Sequence, residues 1–556
     1  MNPARIVPPG DRPYGNARGT RSVAMARRGM IATSQPLASS AGLDVLRHGG
    51  NAVDAAVTAA AVLSVVEPTM TGMGGDLFAL VWEGQNGRVH GLNASGRTGR
   101  AASCEALLRI GHEQIPARGA LSVTVPGAVD GWAELLARFG TIGIDRALQP
   151  AIAFARDGFP VCEIVAGQWH DVEPALSQDQ AAAAVFLPNG RAPRAGEVFR
   201  NPALGRTLEQ VAAGGTDAFY RGPIARAICR HLRSSGGLID EDDFAACRAE
   251  WVEPLRTTFR GCDICELPPN TQGFVVLEML NILEAFDLRA LGHNSAEYLH
   301  LLVEAKRLAF ADRDERLADP DHVPRSVLAT LISKDYAAAR QRAIDPARAA
   351  LEVHPGPIGL AAGGRPGSRT PPVGAGDTVY LTTVDDAGNA VSLIQSLFES
   401  FGSAVVPPGT GIVLHNRGSL FVLDPTHPNH LGAGKRPLHT LIPAMVLRGG
   451  RLFLSFGVMG GDLQPQGHVQ VLVNLLEFGM NVQEAGEAAR IRHSPSGIAV
   501  EPGVPDEART GLVARGHLVI DTPGVFGGFQ GILIDPESGV LMGGSDPRKD
   551  GLAIGF

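Results

Sequence analysis

The sequence predicts a layered α/β protein in which helices cover β-sheets. Runs with helical spacing alternate with pairs of short strand-like runs along the chain, and this alternation is typical of sheets packed between helices. The composition also favours a globular protein, since 44% of the 556 residues are hydrophobic. The 69 glycines and 39 prolines supply many turns.

The region before residue 354 is predicted to be mainly helical. Asn51 is placed to cap a helix over residues 51–66. The apolar stripe that contains Leu299 and Leu302 predicts the longest helix, over residues 295–316. We expect further helices over residues 126–139, 148–156, 207–213, 224–234 and 275–286, and strands over residues 77–82, 88–93 and 257–267.

The region after residue 376 is richer in strand patterns. Residues 378–384 and 390–397 flank the turn residues 385–389, and this arrangement predicts a β-hairpin. We expect further strands over residues 411–414, 444–447, 452–456, 531–534 and 540–543, and helices over residues 468–478 and 482–491.

A proline- and glycine-rich stretch over residues 354–377 separates these regions. It predicts an exposed, flexible linker whose backbone is accessible to cleavage. Thr378 follows it directly. If the bond between Asp377 and Thr378 is cut, the threonine gains a free α-amino group beside its own hydroxyl, and the two groups make a nucleophile and a base in one residue. An α-amino group has a pKa of roughly 7.7–8, so part of it is neutral near pH 7. The sequence therefore predicts a proenzyme cut before Thr378.

Composition and motifs argue against several other classes. The net charge is −8 without a basic block, so we expect no nucleic-acid partner. The N-terminus has no apolar signal region, and the longest apolar run, residues 55–66, is too short to span a bilayer. We therefore expect a cytoplasmic protein with no membrane association. A Ser-His-Asp hydrolase is disfavoured because no G-x-S-x-G motif is present.

The six cysteines include the pair Cys262 and Cys265, spaced as C-x-x-C. No second pair lies at zinc-site spacing, and the pair falls in a strand-like run. We expect reduced structural cysteines rather than a metal or redox site.

Several longer motifs together resemble the gamma-glutamyltransferase family. They occur in the family's order from about residue 30 to the C-terminus, and an ordered set is far more specific than any single motif. The matching segments are residues 50–56, Gly74-Gly75-Asp76, Asp377-Thr378, residues 385–391, Lys435-Arg436-Pro437-Leu438, Gly460-Gly461 and Ser545-Asp546-Pro547-Arg548.

The resemblance implies an N-terminal nucleophile (Ntn) hydrolase fold, an αββα sandwich. It implies a self-cleaved precursor whose partners are its own large subunit, residues 1–377, and small subunit, residues 378–556. The resemblance does not decide whether two such heterodimers associate into a dimer. The family acts on small-molecule amides without a metal or organic cofactor. A non-catalytic binding protein that retained the fold is the alternative from another class.

The resemblance also assigns residues to roles. Thr378 is expected as the nucleophile, Ser396 as a hydroxyl bound to it, and Gly460 and Gly461 as the oxyanion hole. Arg97 is expected to bind a substrate carboxylate, with Arg100 as its competitor. The remaining pocket candidates are Asn416, Arg417, His439 and Thr440.

The specificity positions depart from true gamma-glutamyl enzymes. His439 and Thr440 stand where those enzymes have two serines that bind the glutamate carboxylate. Phe398 and Leu420 stand near the positions of an Asn and an Asp that hold the α-amine, and Arg417 makes the site more cationic. Residues 459–466 are similar to the amidohydrolase branch, which includes oxamate amidohydrolase and some cephalosporin acylases. We therefore expect a small, oxamate-like amide substrate with a carboxylate; a true gamma-glutamyltransferase or glutathione hydrolase is the alternative.

Overall fold

A computed structural model of the chain describes residues 20–358, 376–521 and 526–556. Its strands are β1 (Ala24–Ala26), β2 (Met30–Thr33), β3 (Asp76–Glu83), β4 (Arg88–Ala94), β5 (Phe159–Pro160), β6 (Val198–Phe199), β7 (Glu250–Val252), β8 (Leu255–Phe259), β9 (Cys262–Glu266), β10 (Asp377–Val384), β11 (Ala390–Phe398), β12 (Ala444–Arg448), β13 (Arg451–Val458), β14 (Ile491–Ser494), β15 (Gly497–Val500), β16 (Val519–Ile520), β17 (Phe529–Ile534), β18 (Leu541–Ser545) and β19 (Leu552–Gly555).

The α-helices are α1 (Pro36–Arg47), α2 (Ala52–Val66), α3 (Cys104–Arg109), α4 (Ala128–Phe139), α5 (Ile144–Ala147), α6 (Gln149–Asp157), α7 (Glu163–Asp171), α8 (Glu173–Leu176), α9 (Gln180–Phe186), α10 (Pro202–Tyr220), α11 (Pro223–Ser234), α12 (Glu241–Ala246), α13 (Gly273–Leu283), α14 (Leu288–Leu291), α15 (Ala296–Arg316), α16 (Arg325–Leu331), α17 (Lys334–Gln341), α18 (Leu463–Leu476), α19 (Val482–Glu487) and α20 (Asp506–Ala514).

Two seven-stranded sheets form the centre of the molecule. One has the strand order β1-β18-β17-β13-β12-β9-β8, and the other has the order β19-β2-β10-β11-β3-β4-β7. The sheets lie face to face, since the side chains of Phe78, Tyr380 and Met445 meet in one buried cluster. The approach is close at Gly457, where an added Cβ would lie 2.4 Å from the Tyr380 ring.

Helices cover the two outer faces. Buried residues of α2 and α4 pack with β3, β10 and β11 in one cluster, and those of α13, α15 and α18 pack with β9, β12 and β13 in another. The order helix, sheet, sheet, helix is the αββα sandwich, so the predicted Ntn-hydrolase fold is confirmed.

The strand order brings distant sequence positions together. β11 lies between β10 and β3, and Ser396 pairs in register with Asp76. Asp377 pairs with Phe398, and the register shifts between Asp377 and Val379. Thr378 therefore lies at a β-bulge, a feature that re-aims a side chain.

The two predicted subunits are not separate folding units. In one sheet β10 and β11 lie between β2 and β3, which precede residue 377 in the chain. In the other sheet, four strands that follow Thr378 lie between β1 and β9. A cut before Thr378 would therefore leave two polypeptides joined through both sheets.

Three sequence-based element assignments are corrected by the structure. Residues 411–414 form only an isolated bridge, Gly74 to Leu414, because Gly409 and Gly411 have φ of +80° and +67° and bend the chain. The helix predicted over residues 482–491 ends at Glu487, and β14 begins at Ile491. The single strand predicted over residues 257–267 is a hairpin of β8 and β9.

The predicted linker, residues 354–377, falls mostly outside the described residues. Its described beginning is held in place: Arg340 donates to the carbonyl of His354 at 2.9 Å, and Gly356 N donates to Asp312 at 2.9 Å. No helix of the described residues is long and apolar enough to cross a membrane.

Candidate active site

Thr378 is buried, with 2% of its surface exposed. Its hydroxyl donates to Ser396 Oγ at 3.3 Å across the β10–β11 pair. The structure therefore brings together the two hydroxyl residues that the sequence singled out. The hydrogen bond points the Thr378 proton toward Ser396 and leaves the oxygen's lone pairs for attack on a carbonyl carbon.

Ser396 also accepts hydrogen bonds from two other donors. Phe398 N–H donates to Ser396 Oγ at 2.7 Å, and Arg417 Nη2 donates to it at 3.4 Å. These donors make Ser396 Oγ a fixed acceptor for the Thr378 proton. Ser396 is thus placed to orient the nucleophile.

Arg417 is fully buried beside this pair. Its Nη1 donates to Thr440 Oγ1 at 2.9 Å, and its guanidinium lies 4.3 Å from the centre of the Phe398 ring. Its Nε has no hydrogen-bond partner, and no carboxylate of the described side chains forms an ion pair with it. A buried cation with only hydroxyl and ring partners retains donors for an anion.

The charge of Arg417 responds to its burial. Burial lowers the pKa of Arg417 to about 9, and Asp76 and Glu399 partly oppose this shift. The guanidinium is therefore protonated at pH 7. This positive charge lies one hydrogen bond from Ser396 and two from Thr378.

His439 lies beside the same pocket but turns toward Asp76. Its Nε2 lies 3.0 Å from Asp76 Oδ2, and the His415 Nδ1 lies 3.2 Å from the same oxygen. Burial and the charge of Arg417 lower the pKa of His439 to about 3, so it is neutral and donates to the carboxylate. Burial opposes the ionisation of Asp76, but His415 and His439 hold the pKa of that carboxyl well below its usual range.

Gly460 and Gly461 form the turn that leads into α18. Their φ angles of +118° and +58° lie in the region that favours glycine. Within the described residues, neither N–H group donates to a backbone carbonyl. A Cβ added at Gly376 would lie 3.0 Å from Gly461 Cα, so the chain just before Thr378 packs against this turn. The turn is therefore placed for the predicted oxyanion hole.

The side chain of Gln272 connects this turn to the pocket. Its Nε2 donates to the carbonyls of Thr440 and Gly461 at 2.9 Å and 3.2 Å. Its Oε1 accepts from Arg313 Nη1 at 2.8 Å, and Arg313 also donates to Asp462 at 2.6 Å. Sequence reasoning missed both Gln272 and Arg313, because no local pattern links them to residues more than 140 positions away.

Asn416 is buried but fully engaged in holding the chain. Its Nδ2 donates to the carbonyl of Ala117 at 2.8 Å and to Glu399 at 3.0 Å. Its Oδ1 accepts from Glu399 N–H at 3.2 Å. These contacts give Asn416 a role in shaping the loop beside Arg417, and its predicted contact with substrate stays a prediction.

Arg97 and Arg100 lie among carboxylates. Arg97 forms ion pairs with Asp319 at 3.1 Å and Glu250 at 3.3 Å. Arg100 is largely exposed and contacts three carboxylates, with Asp242 at 2.9 Å. Neither is hydrogen-bonded to Thr378, Ser396 or Arg417 in the described structure. Their role in substrate binding stays a prediction.

The C-x-x-C pair does not form a site. Cys262 packs in the cluster under the helices, whereas Cys265 packs between the two sheets. Both are free thiols. They point to opposite faces of β9 and cannot share one ligand, which agrees with the structural role expected for them.

Comparison with known proteins gives one family over almost the whole chain. The sequence model of the family described as Gamma-glutamyltranspeptidase matches residues 38–556. The chain is 39% identical to the glutathione hydrolase-like YwrD proenzyme of Bacillus subtilis, over 95% of this chain and 98% of that protein. It is 36% identical to the oxamate amidohydrolase proenzyme of Klebsiella pneumoniae, over 96% of this chain and 99% of that protein.

A solved structure agrees with these sequence matches. The cephalosporin acylase from Bacillus halodurans aligns with a TM-score of 0.89 and 40% identity, over 99% of both chains. The relatives are proenzymes and acylases, which disfavours the alternative of a non-catalytic binding protein.

Proposed function

Because this chain belongs to the gamma-glutamyltranspeptidase family, we propose that it is a self-processing amidohydrolase with Thr378 as its N-terminal nucleophile. Its substrate is a small amide that carries a carboxylate next to the reacting carbonyl, as oxamate does. The observation that carries the choice of substrate is Arg417, a buried cation that lacks a carboxylate partner among the described side chains.

Processing begins in the uncut chain. The Thr378 oxygen attacks the carbonyl carbon of Asp377, and its proton is relayed by the Ser396 hydroxyl to the Thr378 nitrogen. The bond between this nitrogen and the Asp377 carbonyl carbon then breaks, which converts the peptide bond to an ester. Water then hydrolyses the ester, which releases the Asp377 carboxylate and the free amine of Thr378. The bulge at Thr378 and the Thr378–Ser396 hydrogen bond of 3.3 Å support this step.

Catalysis reuses the same atoms. The free amine of Thr378 takes the hydroxyl proton, the oxygen attacks the substrate amide, and the leaving amine departs with a proton. Water then cleaves the acyl-enzyme ester and restores the hydroxyl. Gly376, which precedes the cut, packs beside Gly461 in the uncut chain. We infer that the departure of Gly376 opens this space to the substrate carbonyl and its oxyanion.

The pocket chemistry favours an anion without an ammonium group. Arg417 offers free donor capacity, and Thr440 Oγ1 lies 2.9 Å from it. Phe398 covers one face of the guanidinium. Asp76 Oδ2 already accepts from His439 at 3.0 Å and lies 3.2 Å from His415 Nδ1, so this oxygen is occupied and is a poor partner for an α-ammonium.

Glutathione hydrolysis is the second candidate, since the YwrD relative is described as glutathione hydrolase-like. The experiment is a side-by-side measurement of kcat/KM for oxamate and glutathione on fully processed enzyme. We expect oxamate to be preferred by at least tenfold, a difference of about 1.4 kcal/mol. Efficient glutathione turnover with no oxamate activity would restore the glutathione hydrolase assignment.

A further inference from the structure

A cluster of metal-binding side chains lies outside the Thr378 network. His300 and Glu304 lie one turn apart on α15, and His517 follows α20. One potential ligand atom from each residue lies within 4.8 Å of the other two, and all three residues are buried. Imidazole nitrogens and a carboxylate oxygen are the donor types of a zinc-type site.

The hydrogen bonds fix which histidine nitrogen is free to bind a metal. His300 Nε2 lies 2.8 Å from the carbonyl oxygen of Asp345, which only accepts, so Nε2 carries the proton. His300 Nδ1 is therefore a lone-pair donor, and it lies 2.7 Å from His517 Nε2. A histidine whose second nitrogen donates to a carbonyl is the usual arrangement around a bound metal.

The carboxylate of Glu304 is oriented in a similar way. Its Oε1 accepts from Arg307 at 2.8 Å, and its Oε2 accepts from Ala350 N–H at 3.1 Å. Each oxygen keeps a further lone pair, so these contacts hold the carboxylate without using up its capacity as a ligand.

We propose that His300, Glu304 and His517 form a binding site for one divalent metal of the zinc class. The metal replaces the His300–His517 hydrogen bond, and the His517 proton moves from Nε2 to Nδ1. Two metal–nitrogen bonds of about 2.0–2.1 Å at a tetrahedral angle place the nitrogens roughly 3.3 Å apart. This is a small displacement from the 2.7 Å in the structure. Water takes the remaining position.

The position of the three ligands relative to the cut before Thr378 indicates the role of the site. His300 and Glu304 precede Thr378, whereas His517 follows it, so the metal would link the two products of processing. The segment after Asp345 is already tied to both sides, since Ala349 N–H donates to the carbonyl of Arg515 at 2.8 Å. The site would therefore hold the end of the large subunit against α20 after the cut.

The first test is metal content on untagged, full-length protein purified in zinc-containing buffer and then gel-filtered. We expect about one zinc per chain in the wild type and less than a tenth of that in His517→Ala. His468→Ala is the control, because His468 is also a buried histidine and lies 2.9 Å from the Glu266 carboxylate, outside the proposed site. A wild type that retains no zinc, or a His517→Ala variant that retains it, would refute the site.

The second test starts from the wild-type protein. Metal-free wild type is titrated with Co²⁺, and the visible spectrum is recorded. Nitrogen and oxygen ligands give ligand-field bands without sulfur charge transfer, and Glu304→Gln should weaken Co²⁺ binding at least tenfold. Sulfur charge-transfer bands would assign the metal to a cysteine, and a featureless spectrum would show that the histidine pair binds none. Either result would overturn the proposal.

Discussion

Two arginines that the sequence marked as carboxylate-binding candidates occupy opposite environments. Arg417 is fully buried, contacts two hydroxyls and an aromatic ring, and has an unpartnered Nε. Arg97 is 35% exposed in its side chain and already pairs with Asp319 and Glu250. The comparison teaches that the residue type alone does not identify a substrate-binding group.

The difference lies in unused bonding capacity. An arginine whose donors are taken by carboxylates of its own chain gains little from a further anion, since binding must first break those pairs. A buried arginine without such partners lost its hydration when the protein folded. An anionic ligand therefore adds a strong, charge-assisted hydrogen bond without breaking an existing ion pair. We therefore propose that Arg417 binds the substrate carboxylate and that Arg97 has a structural role; the predictions below test both assignments.

Removal of the nucleophile has the largest expected effect at the reacting centre. Thr378→Ala should remain one intact chain without amidase activity, because the attacking oxygen is gone. Thr378→Ser keeps the oxygen and should still be cut. The measurement is intact mass, with N-terminal sequencing of the smaller fragment. Maturation of Thr378→Ala at the same bond would show that the centre around Arg417 does not process the chain.

Removal of the Ser396 hydroxyl should have the next largest effect. Ser396→Ala leaves the Thr378 proton without its acceptor, so processing and kcat should each fall about ten- to a hundredfold, which corresponds to roughly 1.5–3 kcal/mol. KM should change little. The test is a processing time course with steady-state kinetics on cut protein; a change in KM alone would make Ser396 a binding residue instead.

The pH dependence of KM tests whether Arg417 binds the substrate carboxylate. Burial lowers the pKa of Arg417 to about 9, so its charge is present below that pH and is lost above it. KM for an anionic amide should rise as the pH passes about 9, approaching tenfold per unit, whereas KM for a neutral amide should stay level. A flat KM for the anionic amide up to pH 10.5 would show that Arg417 does not bind its carboxylate.

The Arg97 cluster should affect stability more than activity. Asp319 accepts from Arg97 Nη1 at 3.1 Å and from Arg436 N–H at 2.6 Å. Asp319→Asn removes the charge from both bonds and should lower the free energy of unfolding by about 1–3 kcal/mol, with kcat/KM within twofold of wild type. Urea unfolding measures the change in the free energy of unfolding, and steady-state kinetics measure the change in kcat/KM. A large loss of kcat/KM at unchanged stability would place the cluster in the substrate site.

The sequence predicted the αββα fold and the β10–β11 hairpin because local strand patterns and ordered motifs carry that information. The family resemblance implied that the Ser396 hydroxyl is bound to Thr378, and the two hydroxyls lie 3.3 Å apart. The sequence did not reveal the link from Gln272 to Gly461, or the ion pairs of Arg97, because these contacts join positions far apart in the chain. The erroneous strand at residues 411–414 has a related cause: backbone bends at Gly409 and Gly411 override an apolar run.

The central claim is tested most directly by the paired variants Arg417→Met and Arg97→Met. Both remove a guanidinium and keep most of the side-chain volume. On fully processed enzyme, kcat/KM for oxamate and for its neutral amide analogue oxamide is measured for each variant. Arg417→Met should lose about ten- to a hundredfold on oxamate and little on oxamide, while Arg97→Met should change both by less than threefold. The reverse pattern, with the selective loss in Arg97→Met, would contradict the account.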